Sequence, residues 1–282
     1  MLTYRPMQIG DIPTGISLCR AAGWNQLGED WELFLRQSPT GCRVAVDDAG
    51  IVRGTVATIQ YEDRFSWIGM VLVDPAWQRR GIGRQLLNEA LSILHDLQTV
   101  KLDATPAGRE LYVKLGFQDE YTLYRMECKR VSAVREPHTQ SRAIKSSDLP
   151  AILAIDREVF GANREALLAS SLARCPELAW LVENSNEIVA YCFGRPGQRF
   201  AHIGPVVARD INSAKEVALA ALAHVEDQPV IIDALPNSSG WTNWLASIGF
   251  TNQRPLIRMY RGTNAHPGIP ANQFAILGPE FG

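Results

Sequence analysis

Ile68-Gly-Met-Val-Leu-Val-Asp-Pro-Ala-Trp-Gln-Arg-Arg-Gly-Ile-Gly-Arg-Gln-Leu-Leu87 changes character halfway along. An apolar run suited to a buried strand stops at Asp74-Pro75, because proline cannot donate to a sheet ladder. From about Gly83, Leu86, Leu87, Ala90, Leu91, Leu94 and Leu97 recur at helical spacing. Between strand and helix lie Gln78, Arg79, Arg80, Gly81, Ile82, Gly83 and Arg84. The two glycines let the backbone come close to a ligand, the amides at the helix start favour an anion, and the three arginines add positive charge. The pattern points to a pyrophosphate site. A dinucleotide-binding turn would need a third glycine where Leu86 stands, and a P-loop would need Gly-Lys-Ser/Thr, so neither of those folds fits.

Outward from this segment the chain repeats itself. Arg5-Pro-Met-Gln-Ile-Gly-Asp-Ile-Pro13 recurs as Arg142-Ala-Ile-Lys-Ser-Ser-Asp-Leu-Pro150. In both places an aspartate can cap a helix whose first turn holds the proline. Trp67-Ile-Gly-Met-Val-Leu-Val73 matches His202-Ile-Gly-Pro-Val-Val-Ala208, and Lys101-Leu-Asp103 with Pro106 matches Ile231-Ile-Asp233 with Pro236. Leu115-Gly-Phe117 and Tyr124-Arg-Met126 match Ile248-Gly-Phe250 and Ile257-Arg-Met259. Matches kept in order at near-constant offsets argue for duplication. Arg43-Val-Ala-Val-Asp47 and Ala179-Trp-Leu-Val-Glu183 each precede a polar turn and a second strand, a hairpin signal in each copy. Strands alternating with helices later in each copy predict an α/β architecture with a mixed sheet and helices on its faces. The polar stretch from Ser132 to Ser141 reads as the connection between copies.

The length of 282 residues suits two domains, each large enough to bury a core. With 46% hydrophobic and 21% charged residues, the composition is that of a folded globular chain. The net charge of −2 offers no general attraction to nucleic acid or acidic membranes. Neither a secretory leader nor a membrane span is read in the sequence. The five cysteines have neither disulfide-framework nor metal-ligand spacing, which suggests free thiols in a cytoplasmic protein and no metal site.

The pattern QxxGxG (Gln78, Gly81, Gly83) after Val71-Leu-Val-Asp-Pro75, with Leu111-Tyr-Val-Lys-Leu-Gly-Phe117 further on, resembles the GNAT acetyltransferase superfamily. Gly23-Trp-Asn-Gln26 before Asp30-Trp31, and Asp103-Ala-Thr-Pro-Ala-Gly108, look like a bacterial subgroup with two fused units. The resemblance covers most of residues 1–130 with specific motifs, and 140–261 more weakly. It implies two tandem GNAT-like domains, each a mixed, mostly antiparallel sheet with helices on both faces. The division it implies is a catalytic domain at 1–130, a degenerate one at 140–261 and a tail at 262–282.

By the same resemblance, Gln78, Arg79, Arg80, Gly81, Ile82, Gly83 and Arg84 hold the pyrophosphate of acetyl-CoA. Val71, Leu72 and Val73 would pair with its pantetheine arm, whose amides suit an open strand edge. Tyr112 matches the tyrosine that protonates the departing thiolate, and a phenol with a reference pKa near ~10 suits that transfer. Thr105 stands where many members carry asparagine. Trp24, Asn25 and Gln26 fall where the family lines its acceptor pocket. Glu29, Asp30, Glu62, Asp63 and Asp103 are available as bases, and the sequence singles out none. In the second copy the matching loop, from Ala208 to Glu216, lacks glycine, and Leu245 stands in place of Tyr112. That copy is expected to serve as scaffold, pocket wall or sensor. The function implied is N-acetyl transfer from acetyl-CoA to a primary amine of a small molecule or peptide by direct attack. A non-catalytic acyl-CoA-binding regulatory module is the alternative.

Overall fold

A computed structural model describes residues 1–96, 98–131, 140–236 and 239–282. Most of the connecting stretch read above, including Arg135, Glu136, Pro137 and His138, lies outside the described residues, as does Leu97. The first half runs β1 (Thr3–Pro6), α1 (Ile12–Ala21), α2 (Gly28–Gln37), β2 (Arg43–Val46), β3 (Val52–Tyr61), β4 (Phe65–Val73), α3 (Ile82–Ile93), β5 (Thr99–Ala104), α4 (Pro106–Lys114) and β6 (Gln118–Cys128). The second repeats that order with β7 (Ser141–Ala143), α5 (Leu149–Phe160), α6 (Glu165–Arg174), β8 (Trp180–Asn184), β9 (Glu187–Arg195), β10 (Ala201–Ala208), α7 (Ile211–Leu222), β11 (Val230–Ala234), α8 (Ser239–Ser247) and β12 (Thr251–Gly262). A further strand, β13 (Gln273–Ala275), follows in the tail.

The duplicated entry motifs do form equivalent structures, although not through the expected cap. Asp11 occupies the N-cap position of α1 without bonding into the helix; it accepts instead from the Gln8 backbone N–H at 2.8 Å and pairs with Arg5. Asp148 does the same with Lys145 and Arg142. Each copy thus locks its first strand to its first helix with one carboxylate.

The two halves do not keep separate sheets. All strands join in one sheet ordered β1-β2-β3-β4-β5-β12-β6-β11-β13-β10-β9-β8-β7. The last strand of each half has crossed over: β12 lies against β5, and β6 lies against β11. Buried ion pairs follow the exchange. Arg258 of β12 grips Asp103 of β5 with two hydrogen bonds of 2.9 and 2.8 Å. Arg125 of β6 grips Asp233 of β11 at 2.8 and 2.7 Å. These are the arginines and aspartates that the repeat had matched, joined across halves.

Side-chain alternation sorts the two faces. Ile68, Leu102, Ala104 and Met259 pack with α3 and α4, whereas Trp67, Met70 and Leu72 pack with α1 and α2. The second half is built alike, with α7 and α8 on one face and α5 and α6 on the other. Both fourth strands bulge at the matched position, where Met70 takes a φ of 55° and Gly204 precedes a cis Pro205.

The tail threads both halves together. β13 pairs antiparallel with β10 and contacts β11, filling the gap where those strands part. A Cβ on Gly204 would lie 2.0 Å from the carbonyl oxygen of Ile276, and one on Gly69 would lie 2.6 Å from that of Glu280. The matched Ile-Gly pairs are therefore where the tail backbone crosses each half. Tyr61 donates to the Phe281 carbonyl at 2.7 Å, and the Trp67 indole donates to that of Pro279 at 3.0 Å.

Candidate active site

Strands β4 and β5 run parallel and pair only at Ser66↔Val100 and Trp67↔Lys101. Beyond Trp67 they part, and a cavity of about 560 Å³ opens through the gap. Its rim on the α3 side is the loop read from sequence. Asp74 holds the turn by accepting from the Ala76 N–H at 3.0 Å and pairing with Arg53 at 2.8 Å. Arg79 and Gly81 then adopt φ of 60° and 80°, left-handed values that glycine takes without steric cost. Gly81 is the N-cap of α3, and among the described residues no side chain bonds into that helix end. The first-turn amides of α3 therefore face the cavity mouth without an intrahelical acceptor, as an anion site requires.

Gln78, Arg79, Gly81, Ile82, Gly83 and Arg84 all line the cavity. Arg80 does not: its guanidinium stacks 4.8 Å from the Trp77 ring centre. Val71 and Val73 line it, whereas Leu72 points to the opposite face, as alternation along a strand demands. Thr105 lines it as well and caps α4, its hydroxyl accepting from the Gly108 N–H at 3.3 Å.

Tyr112 lies on the wall, with its ring over Gly108, where a Cβ would come within 3.1 Å. Phe117 meets the ring edge-on, centroids 5.9 Å apart. Among the described residues the hydroxyl has no hydrogen-bond partner, and burial pushes its pKa up to about 12. A phenol held in this way stays protonated near neutral pH.

The cavity continues to the other face of the sheet, where its lining includes Trp24, Gln26, Asp103, Arg125, Arg254, Leu256, Pro279 and Glu280. Trp24 and Gln26 were expected here. Asn25 is not among the lining residues: it accepts from the Arg199 and Phe200 N–H groups and donates to the Phe200 carbonyl, each at 3.0 Å. It thus fastens α1 to the second half.

Of the carboxylates available as bases, Asp103 has both oxygens engaged by Arg258, and Asp30 is held by Arg195, Arg174 and the Leu27 N–H. Glu62 pairs with Arg157, and neither it, Glu29 nor Asp63 lines this cavity. Arg254, from the second half, and Glu280, from the tail, have no counterpart in the sequence reading. Nothing local marks them, since both reach the cavity only through the strand exchange and the threading of the tail.

The second half closes each matching feature. Asp210 accepts from the Asn212 and Ser213 N–H groups at 2.8 and 3.0 Å, filling the start of α7 with the chain's own carboxylate. β13 occupies the gap between β10 and β11, and Leu245 is fully buried. His202 lies between Arg195 and Asp233 in the interior, where burial lowers its pKa and keeps the ring neutral. No helix among the described residues is long and apolar enough to cross a membrane.

Comparison with known proteins identifies the family. Residues 38–119 and residues 152–275 each match a model of an acetyltransferase (GNAT) domain. An uncharacterized N-acetyltransferase of Bacillus subtilis, YitH, is 24% identical over 253 residues, covering 87% of each chain. The holothin acyltransferase of a Pseudoalteromonas species is 25% identical over 245 residues, 84% of this chain and 82% of that one. A crystal structure of a candidate acetyltransferase from Pyrococcus horikoshii superposes with a TM-score of 0.82 at 25% identity, covering 100% of this chain and 96% of that one. A tandem GNAT protein from the clavulanic acid biosynthesis pathway shares the fold, with a TM-score of 0.63 at 15% identity over 93% of this chain and 98% of that one. The chain is an acyltransferase of the GNAT family, built from two such domains in tandem.

Proposed function

We propose that the first half transfers the acetyl group of acetyl-CoA to an amine by direct attack, and that the second half binds no cofactor. The observation that carries this reading is the cavity through the β4–β5 gap, with free helix amides at one rim and Tyr112 on its wall. The residues fit the group. The first-turn amides of α3, with Arg79 and Arg84, would hold the pyrophosphate, and the unpaired edge of β4 at Val71 and Val73 would take the pantetheine amides. Bound there, the cofactor supplies an activated acyl carbon. An N–H on the open edge of β4, if it met the thioester oxygen, would stabilise the charge that develops there, typically by about 3 kcal/mol. Tyr112, kept protonated by burial, supplies a proton to the leaving sulfur. The five buried free cysteines suit a reducing cytoplasm.

The test is release of free thiol from acetyl-CoA, followed across polyamines, amino acids, aminoglycosides and lysine peptides. Acceptor-dependent release supports the reading. Cofactor binding with no release from any amine would instead favour a regulatory acyl-CoA-binding module.

A further inference from the structure

Acetyl transfer as proposed uses the α3–α4 side of the cavity; the chamber across the sheet has no role yet. Three residues of that chamber hold a buried polar atom with no hydrogen-bond partner among the described residues: Gln26 Oε1, Arg254 Nε and Glu280 Oε2. Gln26 and Glu280 are only 3% and 2% exposed. Leaving such atoms unpaired is costly, and a ligand in the chamber would satisfy them.

Their charges specify the ligand. The neighbouring ions are matched: Arg258 with Asp103, Arg125 with Asp233, and Arg195 and Arg174 with Asp30 and Glu280. Arg254 has no carboxylate within ion-pair distance among the described residues, and burial and the nearby Arg125 charge both weaken its hold on its proton. The chamber therefore carries one uncompensated positive charge. It does not serve the cofactor's phosphates. Arg254 shares its face of β12 with Leu256 and Arg258, and Arg258 lies over Trp67 in the face covered by α1 and α2. The loop from Gln78 to Arg84 opens on the other face. Glu280 is tethered to Arg195 through Oε1 alone, which leaves Oε2 as an acceptor.

We propose that the acceptor is an amino carboxylate, its carboxylate paired with Arg254 and its amine held by Glu280 and Gln26. This rests on the acetyl-transfer reading above. As the amine nitrogen bonds to the acyl carbon, the carbon–sulfur bond breaks. Glu280 takes a proton from the nitrogen, Tyr112 gives one to the sulfur, and exchange with solvent restores both. A carboxylate pairs with the half-buried Arg254, and the attacking amine enters uncharged, so the occupied chamber gains the one negative charge that its arginines lack.

The experiment compares thiol release with free amino acids and with their primary amides, which differ only at the carboxylate. A second arm titrates the preferred amino acid calorimetrically in the presence of CoA. With the intact chain the acids are expected to outperform the amides by a factor on the order of 100. Arg254→Gln is expected to abolish that preference and the calorimetric binding, Arg254→Lys to restore part of both, and acetyl-CoA affinity to stay unchanged in each variant. Equal use of acids and amides, loss of acetyl-CoA affinity in Arg254→Gln, or no turnover of any amino acid by a chain that binds acetyl-CoA overturns the proposal. Absence of acetyl-CoA binding in the intact chain would instead remove the acetyl-transfer reading beneath it.

Discussion

Tyr112 shows how one side chain draws its chemistry from its neighbours. Its ring covers Gly108 and meets Phe117, and burial raises the phenol's pKa to about 12. Because the shift is upward, the proton-donating form persists through the pH range in which a free phenol, titrating near ~10, would lose it. At saturating acetyl-CoA, turnover should therefore show no alkaline fall from this group up to about pH 10, and Tyr112→Phe should lower it by roughly 100-fold or more. A wild-type decline with an apparent pKa near ~10 that vanishes in Tyr112→Phe would contradict this account. The places of Tyr112 and Gly81 on the cavity wall were legible in the sequence because they depend on short spacings. Glu280 was not: its tether, Arg195, is 85 positions away, and only the folded tail brings them together.

At the level of elements, the exchanged strands carry the argument. β12 lies between β5 and β6, and Arg258 is buried against Asp103, its side chain 4% exposed and that of Asp103 fully buried. Removing one member of such a pair leaves an uncompensated charge, so Arg258→Ala should destabilise the chain by about 3–5 kcal/mol in urea unfolding. Arg258→Met combined with Asp103→Leu should recover most of that loss, because two apolar side chains need no counter-charge. A loss below about 1 kcal/mol for Arg258→Ala would mean that the pair does not hold the exchange. The elements were readable from periodicity and from the repeat, down to the duplicated arginines and aspartates. Their crosswise pairing was not. Apolar alternation along β6 and β12 fits either neighbour equally well, and the choice between them is a tertiary one.

Across the whole molecule, one frame occurs twice and is finished differently in each half. The first half leaves its helix amides free and its strands parted. In the second half Asp210 fills the helix start and β13 fills the gap. The missing glycines and Leu245 were visible in the sequence, but β13's place was not, since three residues of a proline-rich tail carry too little pattern to declare a partner. The division of labour is open to isothermal titration calorimetry of the full chain with acetyl-CoA. One site per chain is expected, abolished in Gly81→Glu, where a bulky anion would face the phosphates from a left-handed backbone position. Two sites per chain, none, or a single site unchanged by Gly81→Glu would contradict the account.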